Sequence, residues 1–524
     1  MEQNCELRNL KKLFGTIYFV QGASGLPKLS LLFYLKNVLH MDEATGQFFS
    51  GFTSLAWFIK PLWGWISDTF PICGYRRKSW IVIMAALGFL FWQLIAFSIY
   101  AAVPALLIYI ILFNLAASSY AFVDVAGDAA MVEKGQEYGR IADLTIFQWK
   151  MLAVSSMLVA VFGGWFQTKI QQGEFAYWMI FSLTGFFSLL TVYVALRYVH
   201  EEKMPRRAKQ CSRFNGMDTK AMAIAWAKGV VGLLRKGADF IVSLWQNDRY
   251  LVYLIFFLIA WHFSPSIGYA FRMYAIDELG FTPAIMGIQD GVGAVIYFLS
   301  IVGFYWLIRR FANVRWHTIL YGMIALGAVR LALEYYYYLP PVHPLSVTLP
   351  FPWWPRVISA VSPLADFGKS NWLFWIAWPY DAVSALSEWN RYHWWSVSVG
   401  SLLFLVSIPA SLIPLILAGQ IIKKEQVAMM YALLMSVVNA ANSLEDIAGG
   451  ILYTLFSSWV GMPIVALFES SLFNFSAAHN ERLLILQMFV YISVFFTALG
   501  IPFIMLLKRE LKRKGIEISL ASRD

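Results

Sequence analysis

Long apolar runs recur along the whole chain and are separated by short polar segments. Each run has roughly 20 residues or more, enough for a helix to cross a hydrocarbon core about 30 Å thick. Backbone polar groups inside lipid must be satisfied within their own segment, so the runs are predicted to be helices. We number twelve predicted spans in chain order, at approximately 13–35, 44–66, 80–101, 105–131, 141–167, 176–199, 250–271, 283–308, 316–338, 393–418, 427–455 and 486–508.

The second half of the chain repeats the first. Tyr34–Gly51 aligns with Tyr274–Gly291 at a constant offset of 240 residues, and both segments connect the first two spans of a half. Gly163 and Gly164 of span 5 correspond to Gly449 and Gly450 of span 11, at an offset of 286. The pattern predicts an all-α polytopic membrane protein, a twelve-helix bundle of two six-helix parallel repeats, which is an organisation typical of carriers.

The repeat also predicts the domain organisation. A polar segment separates the halves, and its charges between Asp218 and Asp239 cover less than half of a helical wheel. Such a helix is expected to lie on the membrane surface. The predicted units are an N-terminal half (1–199), a cytoplasmic linker with this amphipathic helix (200–249), a C-terminal half (250–508) with an outer insertion near 340–391, and a basic tail (509–524).

Composition and charge agree with a membrane protein. Of 524 residues, 59% are hydrophobic and only 14% are charged. When the connections are assigned alternately to two sides, most basic clusters fall on the side of the N-terminus, including Arg76–Lys78, Arg309–Arg310 and the segment 508–514. The positive-inside rule then makes both termini cytoplasmic. The net charge of +10 therefore orients the chain in the bilayer and does not indicate a nucleic-acid partner.

Cysteines, histidines and the N-terminus exclude several alternatives. Cys5, Cys73 and Cys211 fall in segments predicted to be cytoplasmic, where structural disulfides are rare. Only a dozen residues precede span 1, so insertion through that span is expected rather than a cleaved signal. Asn474 begins an Asn-Phe-Ser tripeptide in a predicted outer loop, so glycosylation and a chance match both stay open. No nucleotide-binding loop is visible and the seven histidines are dispersed, so we predict no cofactor and no metal site.

Glycine, serine and proline interrupt spans 1 and 7 at positions that coincide when the offset of 240 is applied. The interruptions are Gly22–Lys28 and His262–Gly268. Broken helices in matching places of two repeats point to a carrier's binding site, although a packing kink is the alternative reading. The candidate binding or coupling residues around these breaks are Gln21, Ser24, Lys28, Trp261, His262, Ser266 and Tyr269.

Ionisable residues inside other spans are a second group of candidates, because charges in a membrane are costly unless paired, protonated or in contact with water. Asp124 and Asp128 share a face of span 4. Lys150 of span 5 lies at a similar depth, so we predict a pair with Asp124, either structural or used in binding and proton coupling. The remaining deep candidates are Lys60, Asp290 and Arg330, which has Glu334 one turn away. Glu445 and Asp446 lie toward the outer end of span 11 and are candidates for an outer gate.

The connection between spans 2 and 3 predicts a cytoplasmic gate. Asp68 lies at the end of span 2, and Arg76, Arg77 and Lys78 precede span 3. An acid at the end of one helix and cations at the start of the next can hold one side of a carrier shut. A purely topogenic role for the cations is the alternative.

Three sequence blocks resemble the folate–biopterin transporter family of the major facilitator superfamily. They are the Lys60-Pro61 to Arg76-Arg77 block, the segment Phe122–Glu133 and the segment Pro265–Pro283. The resemblance implies a major facilitator-type fold and secondary active transport of a folate- or pterin-like solute by alternating access, without enzymatic activity. Gly127, Ala129–Ala130 and Lys134 depart from the family pattern, and the Trp/Pro-rich insertion is unusual; these differences leave the substrate open.

The expected partners are a small-molecule solute, protons as the coupling ion, and the lipid bilayer of a plasma or inner membrane, with the chain acting as a monomer. The alternative is a major facilitator carrier of another small organic solute, such as a nucleoside-type compound or an organic anion. A carrier-derived receptor and a polytopic membrane enzyme are the remaining, less favoured classes.

Overall fold

The computed structural model describes residues 2–75, 77–138, 141–199, 201, 242, 245–310, 315–338, 391–397, 413, 427–459 and 481–516. These residues are predominantly helical and contain no β-strand. In chain order the helices α1 to α17 are Glu2–Ala23, Lys28–Asn37, Glu43–Thr53, Leu55–Phe58, Lys60–Thr69, Lys78–Tyr100, Leu106–Tyr138, Ile141–Gln171, Tyr177–Tyr198, Arg249–His262, Gly268–Asp277, Pro283–Arg310, Trp316–Tyr338, Arg391–Trp395, Val427–Trp459, Glu481–Ala498 and Gly500–Arg513.

The predicted spans correspond closely to these helices. Within the described residues, six helical segments are long and apolar enough to cross a membrane, and they match spans 3, 4, 5, 6, 8 and 12. Helices α13 and α15 correspond to spans 9 and 11. Spans 1, 2 and 7 are each divided into shorter helices, which is why none of them forms one long apolar segment. Most of span 10, the Asp218–Asp239 segment, most of the insertion near 340–391, and Asn474 lie outside the described residues.

The interruptions of spans 1 and 7 occur where the sequence predicts them. Helix α2 covers Lys28–Asn37 and α11 covers Gly268–Asp277, so both begin and end at an offset of 240. The next helices begin at Glu43 and Pro283, again 240 apart. Pro27 and Pro265 lie in the breaks, and proline has no N–H to continue a helical ladder. The paired breaks are therefore confirmed.

We call the side of the bundle that carries the chain termini the terminal side, and the opposite side, with residues 38–42 and 278–282, the far side. One hydrophobic cluster at the far side combines both halves, for example Leu32 and Tyr109 with Tyr274 and Phe489. Toward the terminal side each half has its own cluster, around Leu13 in one half and around Tyr250 in the other. The described parts of the two halves therefore share their largest core at the far side, and a smaller cluster around Ala153 of α8 and Ile301 of α12 joins them deeper in the bundle.

Helices α8 and α12 pack together, as do α3 and α15, and these pairs join the halves. The backbones of α8 and α12 come close together at Gly164 and Gly287. A Cβ atom built on Gly287 would lie 2.7 Å from the Gly164 Cα atom and 3.0 Å from the Ala160 carbonyl oxygen. Carbon atoms in contact are usually about 3.5–4.0 Å apart, so only glycine permits this approach.

Candidate functional site

The break in span 7 is held by the facing helix of the same half. The Ser266 backbone N–H, which has no helical acceptor, donates to the Glu445 carbonyl oxygen of α15 at 2.9 Å. A Cβ atom on Gly449 would overlap the Ser266 backbone, so α15 packs directly against the broken segment. Gly449, one of the glycines of the predicted repeat, therefore lets α15 come close to the broken segment. At this distance an α15 carbonyl oxygen can accept a hydrogen bond from a backbone N–H that the break leaves without a helical acceptor.

Gln47 of α3 connects the first half to two elements of the second half. Its side chain is buried, with Nε2 donating to Asp446 Oδ1 at 2.5 Å and Oε1 accepting from the Tyr269 backbone N–H at 3.0 Å. Ser50 Oγ donates to Asp446 Oδ2 at 2.8 Å. The sequence suggested Asp446 as part of an outer gate but missed Gln47. The offset-240 alignment contains no signal for it, because Gln47 aligns with Gly287.

Four charged residues join the halves at the far side, and we call them the far-side clasp: Lys36, Glu43, Asp277 and Arg482. Lys36 Nζ lies 2.5 Å from Asp277 Oδ1. Arg482, at the start of α16, pairs with Asp277 at 3.1 Å and with Glu43. Because α2 and α3 belong to the first half and α11 and α16 to the second, these ion pairs favour a bundle closed on the far side.

Replacing Arg482 with glutamine should weaken that closure. The pairs are partly exposed, so we expect the state closed at the far side to lose about 1 kcal/mol of stability relative to the open state. The population open at the far side would then rise roughly fivefold. Spin labels at Val38 and Glu278, which are exposed and occupy matching repeat positions, would report the separation by pulsed electron resonance. Arg513→Gln is the matched control, because Arg513 pairs only weakly and locally with Glu510. If Arg482→Gln and Arg513→Gln gave identical distance distributions, the clasp would not contribute to closure of the far side.

A second charged cluster lies deeper, beside the two broken helices. Arg272 Nη2 of α11 lies 3.0 and 3.1 Å from the two carboxylate oxygens of Asp290 on α12. Lys28, the first residue of α2, is exposed and interacts electrostatically with Arg272, Asp290 and Asp446. The predicted residues Lys28 and Asp290 therefore interact electrostatically across the halves, where α2 packs against α12. Sequence reasoning missed Arg272, which aligns with Leu32 of the first half and so carries no repeat signal.

A third cluster lies within the first half. Lys60 Nζ lies 2.6 Å from Asp124 Oδ2; both side chains are buried, and the Trp57 ring centre is 5.0 Å from the ammonium. Tyr18 donates its hydroxyl proton to Asp128 Oδ1 at 2.7 Å. The predicted partner of Asp124 was wrong: the ion pair forms with Lys60 of α5 and not with Lys150 of α8. Similar depth in the membrane did not identify the partner, because the direction of each side chain depends on how the helices are rotated.

The other candidates have mostly local contacts. Ser24 donates to the Gln21 carbonyl oxygen at 2.6 Å. Trp261 stacks on Phe257 and packs on the terminal-side core of the second half. Tyr269 is buried at the start of α11, and His262 ends α10 beside the break. Lys150 is partly buried on α8, and the Arg330 side chain lies outside the described residues.

The predicted cytoplasmic gate is only partly described, because the Asp68 side chain and Arg76 lie outside the described residues. Arg77 is buried and donates to Ser67 Oγ at 2.5 Å. Lys78 Nζ donates to the Val199 carbonyl oxygen at 2.8 Å. The Glu201 carboxylate accepts from the backbone N–H groups of Arg77 and Lys78 and so caps α6, a role that sequence reasoning missed. These contacts tie the ends of α5, α6 and α9 together; the gate itself stays a prediction.

Comparison with known proteins agrees with this architecture. A folate-biopterin transporter of Synechocystis sp. is 26% identical over 468 residues, which cover 85% of this chain and 74% of that protein. Folate transporter 1 of Plasmodium falciparum is 23% identical over 295 residues, covering 55% of this chain and 51% of its own length. Probable folate-biopterin transporter 7 of Arabidopsis thaliana is 32% identical over 160 residues, or 30% of this chain and 36% of that protein.

Solved structures show the same fold. A nucleoside transporter superimposes with a TM-score of 0.56 at 13% identity, covering 95% of this chain and 99% of the other. A D-xylose–proton symporter gives 0.56 at 12% identity with 96% of each chain covered, and a transporter of the POT family gives 0.58 at 12% identity with 98% and 99% covered. The major facilitator fold predicted from the sequence is therefore confirmed.

The profile of the BT1 family matches residues 21–332, which is more than half of the chain. That match includes the first broken helix, the Lys60–Asp124 pair, the second broken helix and the Arg272–Asp290 pair. Family relatives and structural neighbours are transporters and not enzymes. The chain is an integral multi-pass membrane transporter, and it belongs to the BT1 family.

Proposed function

We propose that the chain is a secondary active carrier that moves a folate- or pterin-like solute by alternating access. The observation that carries this proposal is the pair of helix breaks at matching repeat positions, with charged side chains of both halves gathered beside them. Irregular backbone inside a membrane is tolerated where it is buried in protein or lines a cavity, and paired breaks of this kind form carrier binding sites.

The solute class is supported by the relatives and by the chemistry at the breaks. The Synechocystis and Plasmodium relatives are named as folate-biopterin and folate transporters. A pterin has an amidine edge that can donate to a carboxylate, and a folate adds carboxylates that can bind cations. Arg272 and Lys28 supply cations between the halves, and Asp446 supplies a separate carboxylate beside the breaks.

The distribution of contacts supports alternating access. The far-side clasp and the shared hydrophobic cluster close one side of the bundle, while the described terminal-side cores of the halves are separate clusters. A rocking motion that opens the far side would have to break the clasp and the Gln47–Asp446 contact. The close α8–α12 contact at Gly164 and Gly287 would then serve as a pivot.

Protons are the coupling ion in this proposal, and the Asp124–Asp128 cluster is where they would bind. Two carboxylates share one face of α7, and in the described residues the direct ion-pair partner in this cluster is Lys60. A second buried negative charge is costly in a membrane, so one carboxylate is expected to hold a proton in part of the cycle. Lys60 donates to Asp124 and neutralises it, whereas Asp128 accepts from the uncharged Tyr18 hydroxyl. Asp128 is therefore the candidate proton carrier.

The orientation is also part of the proposal. The clusters of Lys and Arg favour cytoplasmic termini in a plasma or inner membrane, so the terminal side would face the cytoplasm. None of the three charged clusters needs a contact with a second copy, and we propose a monomer.

Uptake into proteoliposomes tests the central claim. Labelled biopterin, labelled folate and an unrelated organic anion would each be offered with and without an inward proton gradient. Saturable uptake of a pterin or folate, enhanced by the gradient, is the expected result. Failure of the inserted protein to take up either compound would reject this solute class, and uptake that ignores the gradient would reject proton coupling.

Replacing Asp128 with asparagine should separate coupling from binding. Asparagine keeps the acceptor for Tyr18 but cannot gain or lose a proton, so we expect gradient-driven accumulation to disappear while solute exchange across the membrane continues. Accumulation and counterflow exchange would be measured on the same vesicles. The control is Glu174→Gln. Glu174 is an exposed carboxylate in the loop after α8 and pairs with Lys169 of that helix. Normal accumulation by the Asp128 variant would exclude this residue as the proton carrier.

A further inference from the structure

The charged groups beside the two breaks are not equally paired. Arg272 is neutralised by Asp290, and the two side chains are 27% and 30% exposed. Asp446 already accepts from Gln47 and Ser50. Lys28, by contrast, has no ion-pair partner among the residues that the structure describes. It is exposed, and it begins α2, which packs against α12 of the other half; charges on α11, α12 and α15 of that half act on it electrostatically.

Lys28 therefore faces a water-accessible space between the halves and not lipid. Its depth supports this position: nine residues separate it from Asn37 at the far-side end of α2, or about 14 Å of helix. Asp290 lies seven residues, about 10 Å, inside the far-side end of α12. A lysine at such depth would be unfavourable without an anion or water beside it. Arg272 makes the position more unfavourable still, because like charges repel.

The repeat shows that these charges are a specific addition and not part of the common scaffold. At the offset of 240, Lys28 aligns with Gly268, Arg272 with Leu32 and Asp290 with Ser50. Helix packing alone therefore does not require a charge at any of the three positions. The two cations come from different halves, so an anion bound between them would contact both and would be released when the halves move apart.

We infer that Lys28 and Arg272 form a subsite that binds a carboxylate of the transported solute, with Asp290 orienting the guanidinium. The inference rests on the proposed function and narrows it: the preferred substrates are folate-type compounds with an anionic tail, and uncharged pterins bind without this subsite. Lys60 is excluded from this role because it is buried and paired with Asp124. The substrate tail is thus assigned to Lys28 and Arg272, while the Asp124 cluster remains available for protons.

Lys28→Gln is the most informative variant, because Lys28 has no direct ion-pair partner in the described part of the chain that its loss would leave unpaired. Competition binding to purified protein would use folate, p-aminobenzoylglutamate, which keeps only the anionic tail, and biopterin, which has no carboxylate. A hydrogen bond to a charged group predicts that folate and p-aminobenzoylglutamate affinity falls by at least about tenfold, while biopterin affinity stays within about twofold. Lys28→Arg should restore most of the folate affinity.

Two controls separate the outcomes. Lys169→Gln removes a lysine that pairs with Glu174 in a loop and should leave the affinity for all three compounds unchanged. If Lys28→Gln lowered the affinity for biopterin and for folate equally, or lowered neither, the subsite would be overturned while the carrier proposal stayed intact. Absence of biopterin and folate uptake by the unaltered protein would instead reject the proposed solute class, and the carboxylate subsite with it.

Discussion

Replacing Asp124 with asparagine is expected to destabilise the protein by about 3–5 kcal/mol, the typical cost of leaving one charge of a buried ion pair uncompensated. Lys60 and Asp124 are 7% and 2% exposed, and their charged atoms are 2.6 Å apart. In Asp124→Asn the stranded charge is the Lys60 ammonium, and Trp57 at 5.0 Å compensates for only part of it.

The reciprocal change should also destabilise the protein. In Lys60→Gln the stranded group is the Asp124 carboxylate, which lies on the same face of α7 as Asp128; it has to take up a proton or stay charged, and both cost stability. The double variant, with Lys60→Gln and Asp124→Asn together, keeps a polar pair of similar size. It should recover much of the stability that each single variant loses. We therefore expect thermal stability in detergent to rank unaltered protein first, followed by the double variant and then by the two single variants.

Thermal unfolding of detergent-purified protein would measure the ranking at one heating rate, because large membrane proteins often unfold irreversibly. The partly exposed pair Lys169–Glu174 offers a control, and the corresponding changes Lys169→Gln and Glu174→Gln should have little effect on thermal stability. If the double variant is no more stable than Asp124→Asn, the two residues do not act as a pair.

The second large effect is expected at the contact between α8 and α12. Valine at position 287 would place its side chain against the Gly164 backbone, so the helices would have to separate by about 1 Å or more to reach ordinary contact distance. Because this contact joins the halves, we expect transport to fall to the background level even where the protein inserts normally. Gly287→Ala should reduce transport to a level between those of the unaltered protein and Gly287→Val.

Gly303 provides a control on the same helix. Nothing among the described residues lies within 4 Å of a Cβ atom built there, so Gly303→Val should retain transport. Uptake in proteoliposomes, with size-exclusion profiles to confirm intact protein, would distinguish the two valine variants. Full transport by Gly287→Val would show that the contact at Gly164 is not needed during the cycle.

Much of the fold follows from local pattern. The apolar runs predict where spans lie, and the prolines and glycines of Gly22–Lys28 and His262–Gly268 predict where two of them break. Within the described residues the structure confirms both: the helices coincide with the predicted spans, and α2 and α11 begin and end 240 residues apart. These features depend on residues close together in the chain, so a single window of sequence contains the relevant information.

The partners of charged residues were harder to predict. Lys150 matches Asp124 in depth, yet Lys60 makes the contact. Depth follows from counting residues along a helix, whereas a contact also depends on the rotation of each helix and on which helices are neighbours. Arg272 was missed for a related reason. In the sequence it is one cation in a connecting segment, and only the packing of α11 against α12 places it on Asp290.

The sequence by itself determined the membrane class, the two repeats, the paired breaks and the family resemblance, because these are carried by hydrophobicity, spacing and short motifs. Tertiary structure alone decided which side is closed and which charges meet: the clasp joins Lys36 and Glu43 to Asp277 and Arg482, more than 200 residues away. It also packed α2 against the second half, where Lys28 lies within the electrostatic influence of Arg272 and has no ion-pair partner in the described part of the chain. The physical reason is that pairing across a bundle is chosen by the packing of helices distant in sequence, which no local pattern encodes.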